Sequence, residues 1–181
     1  MHASVMTFLR EEILPVEICG RDVLEVGAQD VNGSPREVLI PHRPRTYVGV
    51  DFDRGRGVDI VMDVKDLVAR FGPSSFDVVV STEMLEHAKD WRTAVTQMKA
   101  VLRPNGRLVL TTRGPGFPFH GYPHDYWRFT VQDFKRIFDD MNILYLTPDS
   151  DPSAPGVFLI AFKEPRLPSV DLEKVQVAGV A

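Results

Sequence analysis

Acids and glycine stand at the ends of apolar runs in this sequence, where an open-chain strand would hand its last side chain to a ligand. Glu25-Val26-Gly27-Ala28-Gln29 closes the first such run, and a glycine at that point lets a ligand come close to the backbone. Asp51 closes the next run, after Thr46-Tyr47-Val48-Gly49-Val50. A carboxylate there can accept both hydroxyls of a ribose, with Asp53 as the neighbouring alternative. Asp63-Val64 closes a third run. The carboxylate can accept from the exocyclic amine of adenine and the Val64 amide can donate to a ring nitrogen, unless Asp63 is spent capping a short helix over 65–71. A dinucleotide would need further glycines and an unencumbered helix N-terminus for its pyrophosphate, and Ala28, Gln29 and Asp30 fill that stretch instead. The spacing therefore points to a nucleoside without phosphate.

The stretch 114–130, Gly-Pro-Gly-Phe-Pro-Phe-His-Gly-Tyr-Pro-His-Asp-Tyr-Trp-Arg-Phe-Thr, is the least generic part of the chain. His120 and His124 can each take a proton from a hydroxyl near neutral pH. Tyr122, Tyr126 and Trp127 offer an apolar wall for a ring. Trp127 and Arg128 read as structural, Arg128 as the local partner of Asp125. A second cluster is Glu83, Glu86 and His87, which share a face if the segment after Ser81-Thr82 is helical.

These positions need a scaffold, and the pattern around them supplies one. Val5, Phe8, Leu9 and Ile13 give residues 3–14 one apolar helical face, which Pro15 ends. Strands are predicted at 22–26, 46–51, 58–63, 76–81, 107–112, 142–147 and 157–162. The Val78-Val79-Val80 run reads as buried on both faces. Asp90 and Thr130 are predicted helix caps, and Pro104-Asn105-Gly106 a turn. Strands alternating with helices mean an α/β sheet with helices on both faces, and such sheets bind ligands at the carboxyl ends of their strands. At 181 residues with 44% hydrophobic and 25% charged positions, one soluble globular domain is expected. Cys19 is the single cysteine, so neither an intrachain disulfide nor a cysteine-rich metal site is expected. The net charge of −4 predicts no nucleic-acid partner, since the one basic cluster, the arginines at 43, 45, 54 and 56, sits among acids. No apolar run reaches the roughly 18 residues of a membrane helix, and the first residues do not read as a signal peptide, so a cytoplasmic protein is expected.

From about residue 20 to 162 the chain resembles a class I S-adenosylmethionine-dependent methyltransferase. The resemblance is carried by Val23-Leu24-Glu25-Val26-Gly27, Val48-Gly49-Val50-Asp51, Asp63-Val64, residues 76–87 and Leu102-Arg103-Pro104-Asn105-Gly106-Arg107-Leu108-Val109. It implies a Rossmann-like, seven-stranded, mostly parallel sheet whose last strand is antiparallel. It also implies one domain over 1–181, with an N-terminal helix in 1–19, a core over 20–162 and a peripheral tail from 163. The cofactor implied is S-adenosyl-L-methionine, held by Glu25, Gly27, Ala28, Gln29, Asp51, Phe52, Asp63, Val64, Ser81 and Thr82. The departure from the family pattern is the first loop, where Gly-x-Gly-x-Gly is cut to Gly27-Ala28-Gln29. His87, Tyr122 and Tyr126 would face the acceptor, with His120 or His124 as general base. Similar Glu-Glu-His segments in small-RNA 2′-O-methyltransferases and ubiquinone-pathway O-methyltransferases hold a divalent ion, but no metal is expected in this chain. The implied reaction is methylation, most simply O-methylation, of a small natural-product or glycan-pathway acceptor, by a monomer or a homodimer. The alternatives are a catalytically silent partner protein of the same fold and a metal-assisted 2′-O-methyltransferase.

Overall fold

The computed structural model describes residues 1–121, 124–164 and 166–180. Five strands run parallel: β1 (Asp22–Val26), β2 (Thr46–Asp51), β3 (Ile60–Val61), β4 (Phe76–Thr82) and β5 (Leu102–Arg113). β6 (Trp127–Arg128) lies outside this sheet, which β7 (Met141–Pro148) and β8 (Gly156–Lys163) complete. The order is β3-β2-β1-β4-β5-β8-β7, and β8, the last in sequence, runs antiparallel between β5 and β7. This is the Rossmann-like architecture anticipated above.

The valine run behaves as predicted because alternation sends its side chains to both faces. Val79, with Leu24, Leu108 and Leu159, faces α4 (Leu67–Phe71), α5 (Trp91–Val101) and α6 (Val131–Ile137). Val78 and Val80, with Val23, Val109 and Ile160, face α1 (Ala3–Glu12), α2 (Pro15–Ile18) and α3 (Arg36–Leu39). The first helix is shorter than expected because Pro15, which cannot continue it, opens α2 at its first position instead. Ile13 still enters the core with Val5, Phe8 and Leu9. The predicted caps are made. Asp90 accepts from the Thr93 amide at 3.1 Å, and Thr130 and Asp133 form a reciprocal capping box. β3 contracts from the predicted 58–63 because its flanking acids are engaged elsewhere. Asp59 accepts from the Gly49 amide and pairs with Arg36, while Asp63 caps the turn Val64–Asp66.

The tail departs most from expectation. Leu172 and Val175 are buried in the α5/α6 side of the core, and Arg92 donates to both their carbonyls, at 2.9 and 2.7 Å. β9 (Ala178–Gly179) pairs antiparallel with β6, and the Val180 amide reaches the Tyr126 carbonyl at 2.8 Å. A period-free, proline-bearing stretch carries no sequence signal for such docking, since its partners lie some 80 residues away. Among the described residues no helix is long and apolar enough to cross a membrane.

Burying two aliphatic side chains contributes about 3–6 kcal/mol. A chain ending at Lys163 should therefore melt roughly 10 °C lower than the full chain by calorimetry. An unchanged melting temperature would mean that the tail only rests on the surface.

Candidate functional site

The carboxyl ends of β1, β2 and β4 border a cavity of about 900 Å³, at the upper end of the range for small-molecule sites. Its floor is a tight crossing. Gly27 has φ +81°, and a Cβ there would stand 2.6 Å from the Met84 side chain. Both the conformation and the space demand glycine at this position. The Gly27 and Ala28 amides donate to the Val50 carbonyl, at 3.0 Å each, which ties the first loop to β2.

Asp51 is buried at the cavity wall. Its Oδ2 accepts from the Gln29 amide at 3.0 Å and its Oδ1 from the Asp53 amide at 3.3 Å, so each oxygen keeps a lone pair for a ligand. Asp53 is exposed and does not line the cavity, whereas Asp51 does. Asp63 also borders the cavity, but its Oδ1 accepts from the Lys65 amide at 3.0 Å and its Oδ2 pairs with Lys65 Nζ at 2.9 Å. The helix-cap role is thus the one it fills. Those bonds hold its carboxyl below the ordinary range.

Glu25 accepts from Tyr47 Oη at 2.8 Å and from Ser34 Oγ at 3.2 Å. Burial pushes its carboxyl from 4.5 up to about 7 despite those bonds. Gly27, Gln29, Phe52, Val64 and Thr82 also line the cavity. Ala28 and Ser81 do not. Ala28 turns its methyl toward Gly49, and Ser81 sits one residue inside β4 with its hydroxyl buried. Strand alternation and loop direction decide such side-chain placements, and a motif alone does not show them.

The residues expected to face the acceptor lie together in the cavity wall. His87, His120, His124 and Tyr126 all line the cavity; Tyr122 lies outside the described residues. The His87 and His120 rings meet edge to face at 4.8 Å, and Phe117, which the sequence did not single out, packs on His120 at 4.9 Å. Glu86 is wholly buried beneath them. Its Oε2 accepts from Thr112 Oγ1 at 2.8 Å, while its Oε1 has no hydrogen-bond partner and lies 3.8 Å from His120 Nε2. Burial pushes this carboxyl up to about 7. Burial also lowers the His120 pKa, so the ring is neutral at pH 7. His124 stands at the exposed rim, its ring against Tyr126.

The predicted face of Glu83, Glu86 and His87 is broken. Glu83 adopts φ +50° and turns its carboxylate to the buried Arg113 and to the His2 amide, and only Leu85–His87 forms a turn of 3₁₀ helix. Arg113 in turn reaches Asp149 at 3.0 Å. Among the described residues Glu86, His87 and His120 instead form a cluster whose ligand atoms lie within 4.8 Å of one another. Two imidazoles and a carboxylate suit a divalent transition ion.

The loop that carries His120 is closed by Arg128. Its five N–H groups go to the carbonyls of Phe117, Pro118 and Trp127 and to both oxygens of Asp125. Trp127 anchors the loop as anticipated, and Phe129 anchors it too. The indole donates to the Ala88 carbonyl at 3.0 Å, and Phe129 packs edge-on against Trp91.

Comparison with known proteins agrees with this geometry. Residues 24–110 match the family model described as a methyltransferase domain. A ubiquinone biosynthesis O-methyltransferase of Idiomarina loihiensis is 29% identical over 106 residues, which cover 51% of this chain and 42% of that protein. The chain thus spans less than half the length of this curated relative. Among solved structures, the 1,6-didemethyltoxoflavin-N1-methyltransferase of Burkholderia thailandensis, with S-adenosylhomocysteine bound, superposes with a TM-score of 0.65 at 16% identity, covering 90% of this chain and 76% of that one. The N-methyltransferase NodS of Bradyrhizobium japonicum gives a TM-score of 0.63 at 16% identity, covering 89% and 93%.

Glu25 and Glu86 bind their protons more tightly folded than unfolded, so their contribution to stability is full below pH 4.5 and is lost as pH rises through 7. Glu25→Gln, which keeps one acceptor oxygen for either Tyr47 or Ser34 and removes the titrating carboxyl, should flatten part of that decline in melting curves between pH 5 and 8, and Glu25→Gln/Glu86→Gln most of it. Parallel declines in wild type and double variant would refute the assignment.

Proposed function

Because the chain belongs to the class I S-adenosylmethionine-dependent methyltransferases, we propose that it methylates a hydroxyl of a small-molecule acceptor, of the natural-product or glycan type. The observation that carries the reading is one cavity with an available ribose acid, Asp51, at one end and a neutral imidazole over a buried carboxyl at the other. The residues fit the family's cofactor. The floor at Gly27 leaves no room for a Cβ, and Asp51 retains free lone pairs. Asp51 would take the ribose hydroxyls, with Gln29, Phe52 and Val64 around the nucleoside. Bound there, S-adenosylmethionine supplies a sulfonium-activated methyl group.

The chain's own part is to bind, align and accept a proton. Alignment in a closed site lowers the barrier by roughly 7–11 kcal/mol in favourable cases. A hydroxyl must also lose its proton, and His120 Nε2 is the acceptor we assign. His120 lines the cavity, while the Glu86 Oε1 that lies 3.8 Å from its Nε2 is buried behind it, so the acceptor hydroxyl would approach the ring from the cavity. His87 and Tyr126 border the same space, and Phe117 gives it an apolar side. His124, exposed at the rim, lines the entrance in this reading.

A second reading is favoured by one specific observation, the cluster of Glu86, His87 and His120. A divalent ion held by those three would polarise the acceptor oxygen directly. Dialysis against EDTA separates the two. Activity that survives supports the imidazole base, and complete loss with rescue by magnesium or manganese supports the ion.

The reading is tested by transfer of labelled methyl to a panel of phenols, catechols and sugar hydroxyls against matching amines. Transfer to a hydroxyl is the expected result. Transfer confined to amines would contradict it. Asp51→Ala should weaken S-adenosylhomocysteine binding by about 1.5–3 kcal/mol, the range for hydrogen bonds to a charged group, and leave the fold intact. His120→Ala should lower turnover on the order of 10²–10⁴-fold with cofactor affinity unchanged. If Asp53→Ala abolishes binding and Asp51→Ala does not, the ribose role belongs to Asp53.

A further inference from the structure

His87 and His120 each have one ring nitrogen beside an oxygen that only accepts. His87 Nδ1 lies against the backbone carbonyl of His124. A carbonyl has no proton to give, so the bond requires the ring proton on Nδ1. His120 Nδ1 lies 3.0 Å from Asp125 Oδ2, with the bond direction imperfect, and the same oxygen accepts from the His120 backbone amide at 3.0 Å. Asp125 cannot swing away, because Arg128 grips both of its oxygens, at 2.5 and 2.6 Å, while fixed to three loop carbonyls.

We propose that Asp125 is a positioning residue that fixes His120 as the Nδ1–H tautomer, so that His120 presents an unprotonated Nε2 toward the buried Glu86 oxygen, beside a His87 ring that is likewise bare at Nε2. Which imidazole nitrogen carries the proton is set by the partner of the other. The Arg128 guanidinium, the neighbouring amide and His120 hold Asp125 down at about 2 against the opposing effect of burial, so it is an acceptor only. The consequence is directional. The lone pair required of a base stands on the side of His120 that faces Glu86 Oε1, at 3.8 Å, and away from the loop. Sequence spacing gave Asp125 only its local partner at 128. Its contact with the functional ring depends on the loop folding back five residues. The inference rests on the assignment of His120 as the base, but its test does not.

The test is long-range proton–nitrogen NMR of the full chain with labelled histidine, without acceptor, at pH 7.5. Spectra of His120→Ala and His87→Ala identify the two rings. Both should show a protonated Nδ1 and a bare Nε2. In Asp125→Ala no acceptor remains beside Nδ1. The His120 pattern should therefore shift to Nε2–H while His87 stays unchanged, with S-adenosylhomocysteine binding within twofold of wild type as the check on folding. An Nε2–H tautomer for His120 in the wild-type chain overturns the proposal, even if the variant fails to fold. So does an Asp125→Ala chain that folds and keeps the wild-type pattern. A shift without loss of turnover supports the positioning role and contradicts the base assignment instead.

Discussion

A buried guanidinium has five N–H groups to satisfy and no water to satisfy them with. Arg128 satisfies all of them on the loop that leads into it, on three carbonyls and one carboxylate. That closure gives an irregular, proline-rich stretch a single shape. It sets Asp125 under His120 and brings the Tyr126 amide to the Glu86 carbonyl, at 2.9 Å. The tail then secures the same strip from the other side through β9 and Val180. The acceptor end of the cavity therefore depends on contacts made outside the cavity. Removing the charge of Arg128 would leave Asp125 buried and unpaired, a costly state.

The nucleoside end rests on a different constraint. β1 and β4 are adjacent and parallel, so their exits crowd one another. Gly27 yields by having no side chain, and Met84 fills the space it leaves. β2 is bound to the same loop through Val50 and through the Asp51 carboxylate, which bonds the Gln29 amide. Asp51 thus shapes the loop and keeps a lone pair on each oxygen at the cavity wall. The truncated glycine pattern of this loop is compatible with that geometry, since only Gly27 stands at a point where a Cβ would collide with Met84.

Much of this was legible in the sequence where the cause is local. The doubly buried valines, the Asp90 and Thr130 caps and the acids at strand ends follow from short-range pattern, and the seven-stranded sheet with its antiparallel last strand follows from the resemblance they support. Features with distant causes were not legible. Glu83 looked equivalent to Glu86, yet Arg113 claims the first while burial isolates the second. Ser81 and Thr82 are adjacent in a motif, but alternation places only Thr82 in the cavity. The docked tail depends on Arg92, and the role of Asp125 on a chain reversal. Each needs a partner that no local window contains.

The most direct test of the central claim, that this cavity is built for a phosphate-free nucleoside, is titration calorimetry of the intact chain with S-adenosylmethionine and, separately, with NAD. The account predicts saturable heat with S-adenosylmethionine in the micromolar range and none with NAD. Heat with NAD and none with S-adenosylmethionine would contradict it.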